Sequence, residues 1–263
     1  MADKIMSYFK NEDVQKINSD LLTLKERYLN LVTKIFRLSE NLKEEKAKEY
    51  LFHGVARRLD VIERCVENIY SIFPLERETL LNREELKDVD INLHAFFINI
   101  FGLLDNLAWV LIHEKRLKIN KKSVGLYIDK AQACFEKEFR DYLNLDRMKK
   151  WHNEYLKNYR DALSHRIPLY VPPKTLTSEQ KNHTDFIDKQ LNDSIKLRDY
   201  NAMNKLHNQD DEIGSPCPFF IHSISEEESR YVVLHAQVIT DFKTVEEIID
   251  NFCDSFIGRC DKT

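Results

Sequence analysis

Apolar residues recur at helical spacing over most of the first 170 positions. Between 19 and 43 they fall at Leu21, Leu24, Tyr28, Leu31, Ile35, Leu38 and Leu42, behind a capping pair Ser19-Asp20. A second stripe runs Phe52, Val55, Leu59, Ile62, Val66, Ile69, Phe73 and stops at Pro74. Two stripes of this kind bury their faces by packing as an antiparallel pair. Residues 75–89 are charged and predict a connector with a short helical turn. From Ile91 to Lys115 the chain is apolar on nearly every side, which predicts a helix at the middle of a bundle. Asn99, Asp105 and Asn106 interrupt the apolar stretch 95–112, so a buried helix is expected there rather than a membrane span.

The pattern continues with a basic loop from Lys115 to Lys122, a fourth helix capped by Ser123 and reaching Phe139, and a fifth from about Leu145 to His165. Pro168, Pro172 and Pro173 then force an extended arm over Ile167–Pro173, expected to cross the bundle near the end of the fifth helix. Residues 178–206 read as one polar helix. Strand patterns follow at Pro218–Ile224 and Tyr231–Ile239, turning at Glu226-Glu227-Glu228, and a last helix spans about Phe242 to Phe256. The expected fold is mainly α: an antiparallel five-helix bundle over 1–173, with a C-terminal extension over 174–263 (helix, small β-hairpin, helix) packed on it.

Composition narrows this little. Only 5 Gly and 6 Pro in 263 residues suit helices, and a net charge of -4 excludes a globally basic nucleic-acid binder while leaving room for a local basic patch. Five cysteines without a C-x-x-C pair read as reduced thiols, and Met1-Ala2-Asp3-Lys4 lacks a signal-peptide layout, so a cytoplasmic protein is expected. Cys217, His222, His235 and Cys253 lack the paired short spacings of a zinc site. No cofactor is expected: there is no Gly-rich phosphate loop, H-E-x-x-H or G-x-S-x-G element.

Candidate chemistry lies at the end of the fifth helix, in Tyr159-Arg160-Asp161-Ala162-Leu163-Ser164-His165-Arg166-Ile167-Pro168. An arginine five before a histidine occurs also at Arg147/His152 and Arg230/His235, so context has to choose. Arg230/His235 lies in an expected strand, where an offset of five puts the two on opposite faces. Arg147/His152 has no acid four before the histidine. Only Arg160/His165 has a polar residue after the arginine, a carboxylate (Asp161) at i−4 able to hold the imidazole, and a helix end that favours its protonated form. Positions five apart differ by about 140° on an ideal helix. Convergence therefore needs arginine's reach, a distorted last turn or a second subunit.

Arg160-Asp161-Ala162-Leu163-Ser164-His165 resembles the signature of the HEPN superfamily: an arginine, a polar residue, three variable residues and a histidine on a late helix of an all-α bundle. The likeness covers these six residues in motif and about 19–170 in architecture. It implies two such helices paired across a homodimer around one cleft, and RNA or a nucleotide as ligand. It also implies, for many members, metal-independent ribonuclease activity in toxin-antitoxin, antiviral or RNA-processing systems, with a possible neutralising protein partner and no membrane. His165 is then the acid-base group and Arg160 the phosphate-charge stabiliser, with Asp161 fixing the imidazole. Lys157, Tyr159, Ser164, Arg166, Asp105 and Asn106 become substrate contacts. A toxin subgroup carries tyrosine two residues after the histidine, where this chain has Ile167.

Each feature also has a plainer use. Asp105 and Asn106 either face the His165 cleft or bond internally to a neighbouring helix. Lys115–Lys122 with Arg147, Lys149, Lys150 and Lys157 either lines a phosphate path or is simply solvated. Tyr155, Tyr159 and Tyr170 either stack bases or pack the core and arm. The alternative function is a non-catalytic helical module binding RNA, a nucleotide or a protein.

Overall fold

The computed structural model describes residues 10–223 and 228–257. Ile224, Glu226, Glu227 and Cys260, as well as the start of the chain, lie outside them. The fold is mainly α, with one two-stranded antiparallel sheet near the C-terminus. Helices α1 (Asn11–Leu22) and α2 (Leu24–Asn41) lead into α3 (Glu45–Glu49), a π-helical segment Tyr50–Ala56 and α4 (Arg57–Ile72), which together run without a break. The second apolar stripe explains that run. Leu51, Val55, Leu59, Ile62, Val66 and Ile69 are all fully buried, and each such side chain contributes about 1.5–3 kcal/mol on leaving water.

The central helix α5 (Arg83–Glu114) starts eight residues earlier than the apolar run does. The reason is a capping box. Asn82 accepts hydrogen bonds from the Glu84 and Glu85 amides at 2.9 Å, and Glu85 accepts one from the Asn82 amide at 2.8 Å. The connector is accordingly only 73–82. By length and hydropathy α5 could cross a bilayer; 56% of its most apolar window is buried inside the bundle.

The expected fourth helix is absent from 123–139. A 3₁₀ turn (Lys121–Ser123), α6 (Asp129–Gln132) and α7 (Lys137–Leu143) take its place. The fifth forms as α8 (Asp146–Lys150), a second π-helical segment Trp151–Leu156 and α9 (Lys157–His165). Beyond it, the polar helix is two helices, α10 (Ser178–Leu197) and α11 (Tyr200–Asp211). They are separated by Arg198 in the left-handed region at φ 55°, and Asp199 caps the second by accepting from the Ala202 amide.

Strands β1 (Phe219–Ser223) and β2 (Ser229–Val233) pair in the register Phe219↔Val233 to Ser223↔Ser229. The chain turns helical at Leu234, not at Phe242, and α12 runs Leu234–Ile257. A β-branched run here is overridden by packing: Leu234, Val238, Phe242, Val245, Ile249 and Phe252 recur at helical spacing and are all buried. His235 is therefore a buried helix residue, 2.5 Å through Nε2 from the Phe73 carbonyl. One hydrophobic core takes in residues on both sides of position 173, with Phe252 edge-on to Phe135 and Phe139.

The arm is extended and packed against the bundle. Leu169 and Val171 are buried, His94 donates to the Leu169 carbonyl at 2.5 Å, and Asp90 accepts from the Val171 amide at 2.8 Å. Tyr170 pairs with Ile221 of β1. The arm thus packs on α5 and on the edge of β1.

Two buried groups make stability respond to pH in opposite directions. Asp241 accepts from Trp151 Nε1 at 2.7 Å and from Gln237 at 2.9 Å, and burial pushes its carboxyl up from 3.8 to about 6. The unfolded chain then loses that proton first, so stability falls as pH rises from about 4 to 6, by about 3 kcal/mol. His235, pushed down by burial from 6.5 to about 4, stays neutral while the unfolded chain charges, so stability falls as pH drops over the same window. Asp105, up to about 6, and His222, down to about 4, form a second opposed pair. Removing the acid isolates its share: in urea melts the stability of Asp241→Asn relative to the parent should climb by about 3 kcal/mol from pH 4 to 6; a variant that tracks the parent rejects the assignment.

Candidate functional site

The site is built where α9 crosses the middle of α5. Phe101 and Gly102 are adjacent on α5, and Asp105 stands one turn on from both, so it neighbours each of them on the helix surface. The half-buried Arg160 lies with its guanidinium 4.4 Å from the centre of the Phe101 ring. Its Nε is 3.2 Å from an Asp161 oxygen, out of line for a hydrogen bond. Asp161 therefore serves the arginine: no hydrogen bond joins it to His165 among the described residues. This corrects the expected carboxylate–imidazole pair, and the cause is competition between a neighbouring cation and an exposed imidazole one turn away.

His165 is exposed at the last position of α9. The helix ends there because Arg166 is extended (φ −130°, ψ −163°), with its amide on the Ala162 carbonyl and its guanidinium donating back to the Asn158 carbonyl. Lys157 and Ser164 are exposed. Tyr159 is not available to a ligand. It is 1% exposed, wedged against Phe97 at 4.5 Å, Phe220 at 5.7 Å and His222 at 4.8 Å. Of the two α5 residues expected as substrate contacts, Asp105 lies in the field of Arg160 and Asn106 turns to another helix. Burial drives the Asp105 carboxyl up to about 6, against the pull of Arg160 and Arg58. Asn106 covers Gly54 in the first π-helical segment, so closely that a Cβ there would lie 2.7 Å from its side chain.

Several contributors have no local sequence signature. Arg58, on α4, lies flat on Gly102: a Cβ at 102 would sit 2.5 Å from the guanidinium carbon. It donates through Nη1 to Asn99 Oδ1 at 3.0 Å, and Asn99 is itself aimed by donating its amide to the Ala95 carbonyl at 2.8 Å. His152 stacks on Tyr127 at 3.9 Å and 13°, with Phe101 at 5.9 Å. Burial, with help from Lys157 and Arg160, holds its imidazole below the usual range. Gly102, a lone glycine inside an apolar helix, is the one signal of close approach that the sequence carries. Both π-helical segments border this cluster: one ends just before Arg58 and the other contains His152. Segments of this kind concentrate at functional sites.

Three cations of the expected phosphate path are committed to internal pairs. Lys115 binds Glu136 at 3.2 Å, Arg116 binds Glu44 at 2.5 Å and Arg147 binds Glu247 at 2.8 Å. Lys118, Lys121, Lys122, Lys149, Lys150 and Lys157 stay exposed. Among the described residues no group of three or more His, Cys, Asp or Glu side chains is placed to hold a metal. Compared with known proteins, the chain matches no family model, no curated protein and no solved structure.

Proposed function

We propose that this chain is a metal-independent endoribonuclease of the HEPN type that works as a homodimer on RNA. The observation that carries the reading is Arg160, a cation seated on Phe101 beside Asp105 with an exposed histidine five residues on at a helix end. The pair suits transfer to an internal hydroxyl. The ribose 2′-oxygen attacks phosphorus as one His165 takes its proton. The phosphorus–5′-oxygen bond then breaks, and the His165 of the second copy protonates the leaving oxygen. Arg160 stabilises the charge that builds on the phosphoryl oxygens.

The second copy answers the geometry of the helix, on which Arg160 and His165 point about 140° apart. Exposed apolar residues are available for such a contact: Ile167 just beyond His165, and Ile91 and Ile98 spaced by sevens from Asp105 along α5. A two-fold axis through this face covers them and supplies each arginine with a histidine.

A non-catalytic RNA- or nucleotide-binding module is the second reading, favoured by the fact that Asp161 turns to Arg160 and leaves His165 unoriented. Incubating purified protein with single-stranded RNA in excess chelator separates the two. Cleavage ending in 2′,3′-cyclic phosphate, with DNA left intact, is expected. Binding without any cleavage would move the assignment to the second reading, and cleavage that requires a divalent ion would reject the chemistry.

A further inference from the structure

Arg58 belongs to no part of the motif, yet its surroundings are built around it. Its guanidinium is seated on Gly102, where any side chain would collide with it, and its direction is set by Asn99. It is half-buried and has no ion pair among the described residues, whereas Arg27, Arg77, Arg116, Arg147 and Arg160 each hold a carboxylate. A half-buried guanidinium with one neutral hydrogen bond retains most of its five donors and is costly to keep without an anion.

Its position tells which anion. Consecutive residues of α5 seat two arginines from different helices: Phe101 carries Arg160 and Gly102 carries Arg58. Asp105, one turn on, lies in the field of both. We infer that Arg58 and Arg160 together form a two-arginine clamp for one phosphate of a bound RNA strand, with Gly102 and Asn99 as the residues that place Arg58. Two forks aimed from separate helices fix a phosphate in orientation as well as in charge, which a single arginine does not. The inference rests on the RNA-binding reading above and adds a residue to it.

The test is binding of a labelled 2′-O-methyl oligouridine, which offers phosphates without a cleavable hydroxyl, to the full chain over a salt series. Arg58→Gln is expected to weaken binding about tenfold near 0.1 M salt and to reduce the slope of log K against log salt by about 0.7, the share of one phosphate contact. Arg58→Lys should keep the slope and lose affinity by about threefold, since it preserves the charge and not the fork. Gly102→Ala should weaken binding with net charge unchanged, because the seat is filled. Arg57→Gln, an exposed neighbour on α4, should stay within about twofold of the parent. If Arg58→Gln behaves like Arg57→Gln while Arg160→Gln weakens binding, the clamp is wrong and the RNA site stands. If the parent does not bind, or Arg160→Gln binds as the parent does, the RNA site falls and the clamp with it.

Discussion

Arg160→Ala and His165→Ala are each expected to lower RNA cleavage by about 10²- to 10⁴-fold, the usual cost of removing a positioned acid-base or charge-stabilising group. The two losses should differ in kind. His165 is exposed and touches nothing that the fold needs, so His165→Ala should melt like the parent and bind RNA like the parent. Arg160 is packed on Phe101 and holds Asp161, so Arg160→Ala should also weaken binding. Asp161→Asn should cost far less than either, because it steadies the arginine and leaves the imidazole alone. Arg147→Ala tests whether spacing alone matters: that arginine is exposed and tied to Glu247, and cleavage should be nearly unchanged. His235 cannot serve as a neutral comparison despite its matching spacing, since its ring is buried against Phe73 and Tyr70. Cleavage by Arg160→Ala within about threefold of the parent would sink the mechanism.

Tyr159→Ala should remove about 3–5 kcal/mol of stability. The ring is the meeting point of α9, α5 and β1, in contact with Phe97 on α5 and with Phe220 and His222 on β1, and these neighbours are held by two separate elements that cannot both move into the space. The hydroxyl contributes nothing comparable. No protein group hydrogen-bonds it, so Tyr159→Phe keeps the packing and should change stability by less than about 1 kcal/mol. Denaturant midpoints for the three proteins, compared at equal m-value, decide the matter. A Phe variant as weak as the Ala variant would show that the hydroxyl, and not the ring, is what the core requires.

Helices whose cores face one way were legible from spacing alone, which is why α2, the run through α4 and the motif helix stand close to where the stripes put them. Two kinds of element were not. Around residue 83 the charge density of the first turns hid a helix start that Asn82 and Glu85 spell out as a capping box. At Leu234 a β-branched run looked like strand, and only the neighbours waiting for it in the core make it helix. The site divides the same way. Arg160 and His165 could be singled out as candidates because a motif is local. Arg58 could not, because nothing in the sequence near it announces a glycine on another helix. Asp161 was matched to the wrong partner because helical spacing measures reach and not which charge wins.

Lys34 of α2 reaches Asp250 of α12 at 2.6 Å across 216 residues of chain, and the Tyr70 hydroxyl reaches the His235 carbonyl at 2.9 Å. Contacts this distant in sequence close late, since the loop between them has to be drawn in first. During synthesis the motif helix emerges long before α12 does, and it emerges without the Asp241 that Trp151 holds. Chain elongation at about 5–20 residues per second leaves seconds in which that helix is made but not braced. The last helix thus acts as a timer: the motif helix is braced only after the messenger has been read past it.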